Sequence, residues 1–130
     1  MVRVLTVDDH PPFRDAARAV VAATPGFEAL AEVGSGEDAV ELLDRLRPDL
    51  VLLDVNLPGI DGLETCRRLA AAVPAPLVVL ISTDDDPGLR ESAHEHGAAA
   101  FVAKQELRPG LLLTLWERHR GPAAAITPPG

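Results

Sequence analysis

Residues 50–62 read LVLLDVNLPGIDG. The apolar run Leu50–Leu53 leads straight into Asp54, and a Pro58-Gly59 turn follows. An uninterrupted apolar run of this length suits a strand covered on both faces, as in a parallel sheet. Such a strand has no use for a terminal carboxylate in its core. Burying an unpaired charge is expensive, so Asp54 must reach solvent, a partner group or a metal ion.

On either side of this stretch, strand and helix patterns alternate. Val2, Leu5 and Val7 belong to an opening strand that ends at Asp8-Asp9; Pro11 then offers a helix start, with Phe13, Ala17, Val20 and Val21 at helical spacing. Thr24-Pro25-Gly26 breaks that helix, and Phe27, Ala29, Ala31 and Val33 alternate along a second strand. Ser35 to Asp38 fits a helix-capping pair ahead of Ala39, Leu42, Leu43 and Leu46; Pro48 closes that helix. Asp61 and Glu64 form another capping pair, with Leu63, Cys66, Leu69 and Ala70 facing inward. A fourth strand is expected over 76–82, a helix from Asp86-Pro87 to Gly97, and a fifth strand over 98–103. The last helix begins near Pro109, with Leu111, Leu112, Leu115, Trp116 and His119 on one side, which leaves Leu113 as a candidate for exposure. Residues 120–130 show no periodicity and read as a flexible tail or the start of a linker after a domain spanning 1–119.

This alternation predicts an α/β fold: a five-stranded parallel sheet, order 2-1-3-4-5, with five helices distributed over both faces, of flavodoxin-like type. In that topology ligands bind beyond the carboxyl ends of the strands, at the switch point between strands 1 and 3. Asp8, Asp9 and Asp54 converge there, with Ser82 ending the fourth strand and Lys104 following the fifth.

Composition narrows the function. With 130 residues, 47% hydrophobic and 25% charged, the chain suits one soluble domain, and no apolar run is long enough to span a bilayer. A net charge of −8 repels phosphate backbones and argues against nucleic-acid binding by this domain itself. The single cysteine, Cys66, reads as a small core residue in a reducing, cytoplasmic setting. His10, His94, His96 and His119 show no metal-ligand spacing. Clustered carboxylates, by contrast, favour a hard divalent cation such as Mg²⁺, and Lys104 adds a point charge for a phosphate oxygen. The set suits phosphoryl transfer with a carboxylate nucleophile.

Over about residues 1–119 the chain resembles the receiver domain of two-component response regulators. The resemblance is carried by VDD at 7–9, LLDVNLPGIDG at 52–62, VLIS at 79–82 and GAAAFVAK at 97–104. It implies Asp54 as phosphoacceptor, Asp9 as a direct Mg²⁺ ligand, Asp8 acting mainly through water, and the Asn56 carbonyl as a further ligand. It implies Ser82 as the switch hydroxyl, Lys104 as the conserved lysine, and Phe101 as an aromatic switch that turns inward, although an aromatic in this stretch also suits the core. Asn56, Thr83 and Asp84 fall at the mouth of the site and are expected to modulate it. The implied partners are a sensor histidine kinase and, as one option, a second copy of the chain. DDHPPFRDAARAVV at 8–21 and AKQEL at 103–107 look most like the subfamily that often carries a helix-turn-helix output domain, and hence like a regulator of transcription.

Two residues depart from the common family pattern. Gln105 replaces the proline after the lysine, so a trans bond and a differently placed Lys104 are expected. Thr83 stands where a smaller residue is common, which would narrow access to an acyl phosphate. These departures leave open a phosphorylation-independent interaction module of the same fold. An aspartate-nucleophile phosphatase fits less well, because Asn56 stands where such an enzyme has an acid and no cap domain encloses a substrate.

Overall fold

Leu50, Val51, Leu52 and Leu53 are fully buried, at the centre of a five-stranded sheet. A computed structural model describes residues 1–83 and 87–119. The strands are β1 (Val2–Val7), β2 (Phe27–Val33), β3 (Leu50–Asp54), β4 (Leu77–Ser82) and β5 (Ala100–Ala103). The helices are α1 (Pro11–Ala22), α2 (Gly36–Leu46), α3 (Gly62–Ala70), α4 (Pro87–Glu95) and α5 (Pro109–His119). All pairings are parallel and the order is β2-β1-β3-β4-β5, the expected topology. The expected helix start at Asp86, the site-mouth residue Asp84 and the tail at 120–130 lie outside the described residues.

The core is two layers divided by the sheet. Leu5, Val7, Val51, Leu53, Val78 and Leu80 meet α2, α3 and α4 through Ala39, Cys66, Leu69 and Ala93. Val4, Leu50, Leu52, Val79 and Ile81 meet α1 and α5 through Ala17, Val21, Leu112 and Leu115. Fully burying side chains of this size contributes about 1.5–3 kcal/mol each. Cys66 is buried as expected, its Sγ 3.4 Å from the His96 carbonyl, and burial pushes the thiol up to about 11. Leu113 departs from expectation: it is half-buried against the α1/α5 layer, because that layer wraps more of α5 than one narrow stripe.

The second strand also departs from simple alternation. Val4 pairs with Ala29 but Leu5 with Ala31, so the register passes over Leu30. This bulge moves the strand's inward residues from one layer to the other. Phe27 and Ala29 pack with α1 and α5, whereas Ala31 and Val33 pack with α2 and α3.

Local chemistry sets the helix ends. Ser35 Oγ accepts from the Asp38 N–H at 3.1 Å, and Asp61 Oδ1 from the Glu64 N–H at 2.8 Å, as the capping pairs predict. Helix α2 ends where Arg47 turns left-handed, at φ 48°. Arg3 of β1 donates to the freed carbonyls of Leu46 and Arg47 at 2.6 and 3.0 Å. Helix α4 is anchored thinly, with Ala93 its one buried residue and Leu89 half-buried.

Candidate functional site

The carboxyl ends of β1 and β3 deliver Asp8, Asp9 and Asp54 to one place. A carboxylate oxygen from each lies within 4.8 Å of the others. The β1–α1 junction explains the first pair. Asp8 Oδ1 accepts from the His10 N–H at 2.8 Å, which turns the chain into α1 and leaves Asp8 buried and Asp9 exposed. Asp54 is 4% exposed, and its Oδ1 accepts from the Asn56 N–H at 3.2 Å.

Close backbone packing fixes the loop after β3. Gly62 opens α3 so near β3 that an added Cβ would overlap the Asp54 carbonyl and Val55 Cα. Its N–H donates to the Val55 carbonyl at 3.0 Å. From α2, Glu37 Oε2 accepts from the Ile60 N–H at 3.1 Å. Backbone N–H donors, its own and that of Ile60, hold the Glu37 carboxyl below the usual range.

Lys104 enters from the far edge of the sheet. Its Nζ lies 2.6 Å from Asp8 Oδ2 and 3.5 Å from Asp54 Oδ2. The closer contact is an ion pair that covers the buried Asp8 Oδ2. Val73–Pro74 is the one cis bond among the described residues, so Lys104–Gln105 is trans, as the missing proline predicts. Residues Lys104–Glu106 instead form a single 3-10 turn, and Lys104 still reaches the carboxylates.

Burial pushes the Asp54 carboxyl up, and the neighbouring Asp8 acts in the same sense. The Asn56 N–H and the Lys104 ammonium oppose this. A hard divalent cation fits the donor set: three carboxylates converge, and the single Lys104 ammonium offsets only part of their charge.

Ser82 is fully buried at the end of β4. Asn56 and Thr83 are exposed, following the ends of β3 and β4. The Phe101 ring is turned inward, 8% exposed, in the α2/α3/α4 layer. The Arg90 guanidinium caps it at 5.1 Å from the ring centroid and donates to the Phe101 carbonyl at 3.2 Å.

Two residues of α1 join the site beyond those the motifs indicate. Arg14 Nη1 donates to the Asp8 carbonyl at 2.6 Å, and the Phe13 ring lies 4.5 Å from Lys104 Nζ. Only their position in the first turn after the acidic pair could have hinted at this.

A family model described as the response regulator receiver domain matches residues 4–115. The chain belongs to that family. This receiver is 33% identical over 104 residues to the transcriptional regulatory protein DegU of Brevibacillus brevis, covering 80% of this chain and 44% of that one. It is 31% identical over 128 residues to the nitrate/nitrite response regulator protein NarL of Escherichia coli K12, covering 96% and 59%. The receiver thus spans roughly half the length of these curated relatives. Among solved structures, the signal receiver domain of a NarL response regulator from Mycobacterium tuberculosis superposes with a TM-score of 0.78 at 31% identity, covering 92% of this chain and 98% of that one. The receiver is thus related to NarL-type response regulators of bacterial two-component systems. No helix among its described residues is long and apolar enough to cross a membrane.

Proposed function

We propose that this receiver accepts a phosphoryl group on Asp54 from the phosphohistidine of a sensor histidine kinase, and that the acyl phosphate switches its interaction surface. One observation carries the reading: a buried carboxylate at the end of β3 faces both a lysine ammonium and two further acids. Asp9, Asp54, the Asn56 carbonyl and, through water, Asp8 would hold Mg²⁺. When bound, the ion would neutralise charge on the phosphoryl oxygens.

The residues of the chain do the rest. A carboxylate oxygen of Asp54 attacks phosphorus in line; the P–O bond forms as the P–N bond breaks, and the electron pair leaves with the histidine nitrogen. Burial leaves Asp54 weakly solvated, which favours attack. Lys104 moves its charge from Asp8 toward the phosphoryl oxygens, and the Ser82 hydroxyl donates to one of them. With Phe101 already inward, α4 is the element free to respond, since Ala93 is its one buried anchor. Asn56, Thr83 and Asp84 tune access at the mouth. This is a switch and not a turnover enzyme. It works in the cytoplasm, alone or as a homodimer, and reaches transcription through an output domain outside these residues, as befits a relative of named transcriptional regulators.

Intact mass after incubation with acetyl phosphate and Mg²⁺ tests this. Wild type is expected to gain one phosphoryl group and Asp54→Ala none. If wild type also fails to bind beryllofluoride, the chain is a phosphorylation-independent module instead.

A further inference from the structure

Among the described residues the Lys104 ammonium meets two acids and an aromatic ring. Beyond Asp8 Oδ2 at 2.6 Å and Asp54 Oδ2 at 3.5 Å, it sits 4.5 Å from the centroid of the Phe13 ring. An ammonium over an aromatic face is attracted by the ring quadrupole. Phe13 lies one helical turn before the buried Ala17 of α1. It is only half-buried, at the margin of the α1/α5 layer. Its ring packs at the margin of that layer and gives one face to Lys104.

We infer that Phe13 is a positioning residue for Lys104, keeping the ammonium over the acidic cleft as it moves between Asp8 and Asp54. The inference rests on the phosphoryl-transfer reading for its consequence, but not for the contact itself. Asp8 is fully buried and holds Lys104 closely, so an ammonium bound to Asp8 alone would leave it reluctantly. The attraction of a ring face is broad and has no single hydrogen-bond direction. It therefore follows the ammonium through a shift on the order of 1 Å with little loss. Arg14, the next residue, braces the Asp8 carbonyl, so one turn of α1 steadies both members of the Asp8–Lys104 pair.

The test uses the fact that Lys104 is the only lysine. Lysine-selective isotope labelling therefore gives a single side-chain ε-CH₂ signal. In wild type that signal is expected upfield of free lysine, with nuclear Overhauser contacts to an aromatic ring. Phe13→Leu should move it back, and Phe13→Trp should keep it upfield. Phosphoryl uptake from acetyl phosphate should fall about fivefold in Phe13→Leu and recover in Phe13→Trp. In a Lys104→Met background, Phe13→Leu should change nothing more. An ε-CH₂ signal in wild type without aromatic contacts would overturn the inference. So would an equal loss of uptake from Phe13→Leu in the Lys104→Met background, the mark of a merely structural ring. If wild type takes up no phosphoryl group, the functional reading fails, and the resonance still decides the contact.

Discussion

At the scale of single residues, Asp54 stands in a conflict that its neighbours only partly relieve. Burial raises its folded-state pKa above the ordinary 3.8, so its ionised form is less favourable in the folded chain than in the unfolded one. The sign follows: the penalty is present above the raised pKa and vanishes as pH falls below about 3.8. Asp54→Asn keeps the shape and removes the charge. In Mg²⁺-free buffer at neutral pH it is expected to stabilise the fold and raise Tm. Thermal melts should show this gap closing toward acid pH; an Asn variant less stable than wild type at pH 7 would refute the account. The sequence displays this residue clearly, because an acid after four apolar residues has few innocent explanations. Arg14 and Phe13 were not legible in the same way: one reads as a surface arginine and the other as an apolar helix position.

At the scale of elements, the loop between β3 and α3 is held by backbone contact more than by side chains. Gly62 permits α3 to start against the Asp54 carbonyl, and Glu37 of α2 holds the loop from outside. Gly62→Ala forces backbone against backbone, so a loss of more than about 2 kcal/mol is expected, with slower phosphoryl uptake. Gly110 in α5 is the contrast, since an added Cβ there meets nothing within 4 Å. Gly110→Ala is expected to stabilise by about 0.5 kcal/mol through reduced unfolded-state entropy and to leave uptake unchanged. Urea denaturation of both variants measures the two signs together. The capping pairs at Ser35 and Asp61 were readable in advance because an N-cap depends on residues three apart. The left-handed end of α2 was not, because its carbonyls are satisfied by Arg3, a residue 43 positions from Leu46.

At the scale of the whole molecule, a chain of net charge −8 concentrates three acids at one rim of its sheet. A cation that binds only the folded form adds stability by mass action, about 2.7 kcal/mol at one hundred times its Kd. Mg²⁺ is therefore expected to raise Tm, chelation to reverse the gain, and Asp9→Ala to abolish it. Sodium chloride at matched ionic strength controls for screening of the acidic surface. The alternation of apolar runs and helical stripes determined the parallel sheet and its strand order, because right-handed crossovers leave few other closures. It also determined that Asp8, Asp9, Asp54, Ser82 and Lys104 share one rim, because each ends or follows a strand. Tertiary structure alone decided the bulge at Leu30, the half-burial of Leu113 and the inward ring of Phe101. It alone seated Phe13 and Arg14 beside Lys104 and Asp8. Periodicity states which face of one element is apolar. What that face meets depends on elements distant in sequence, and those contacts exist only once the sheet has closed.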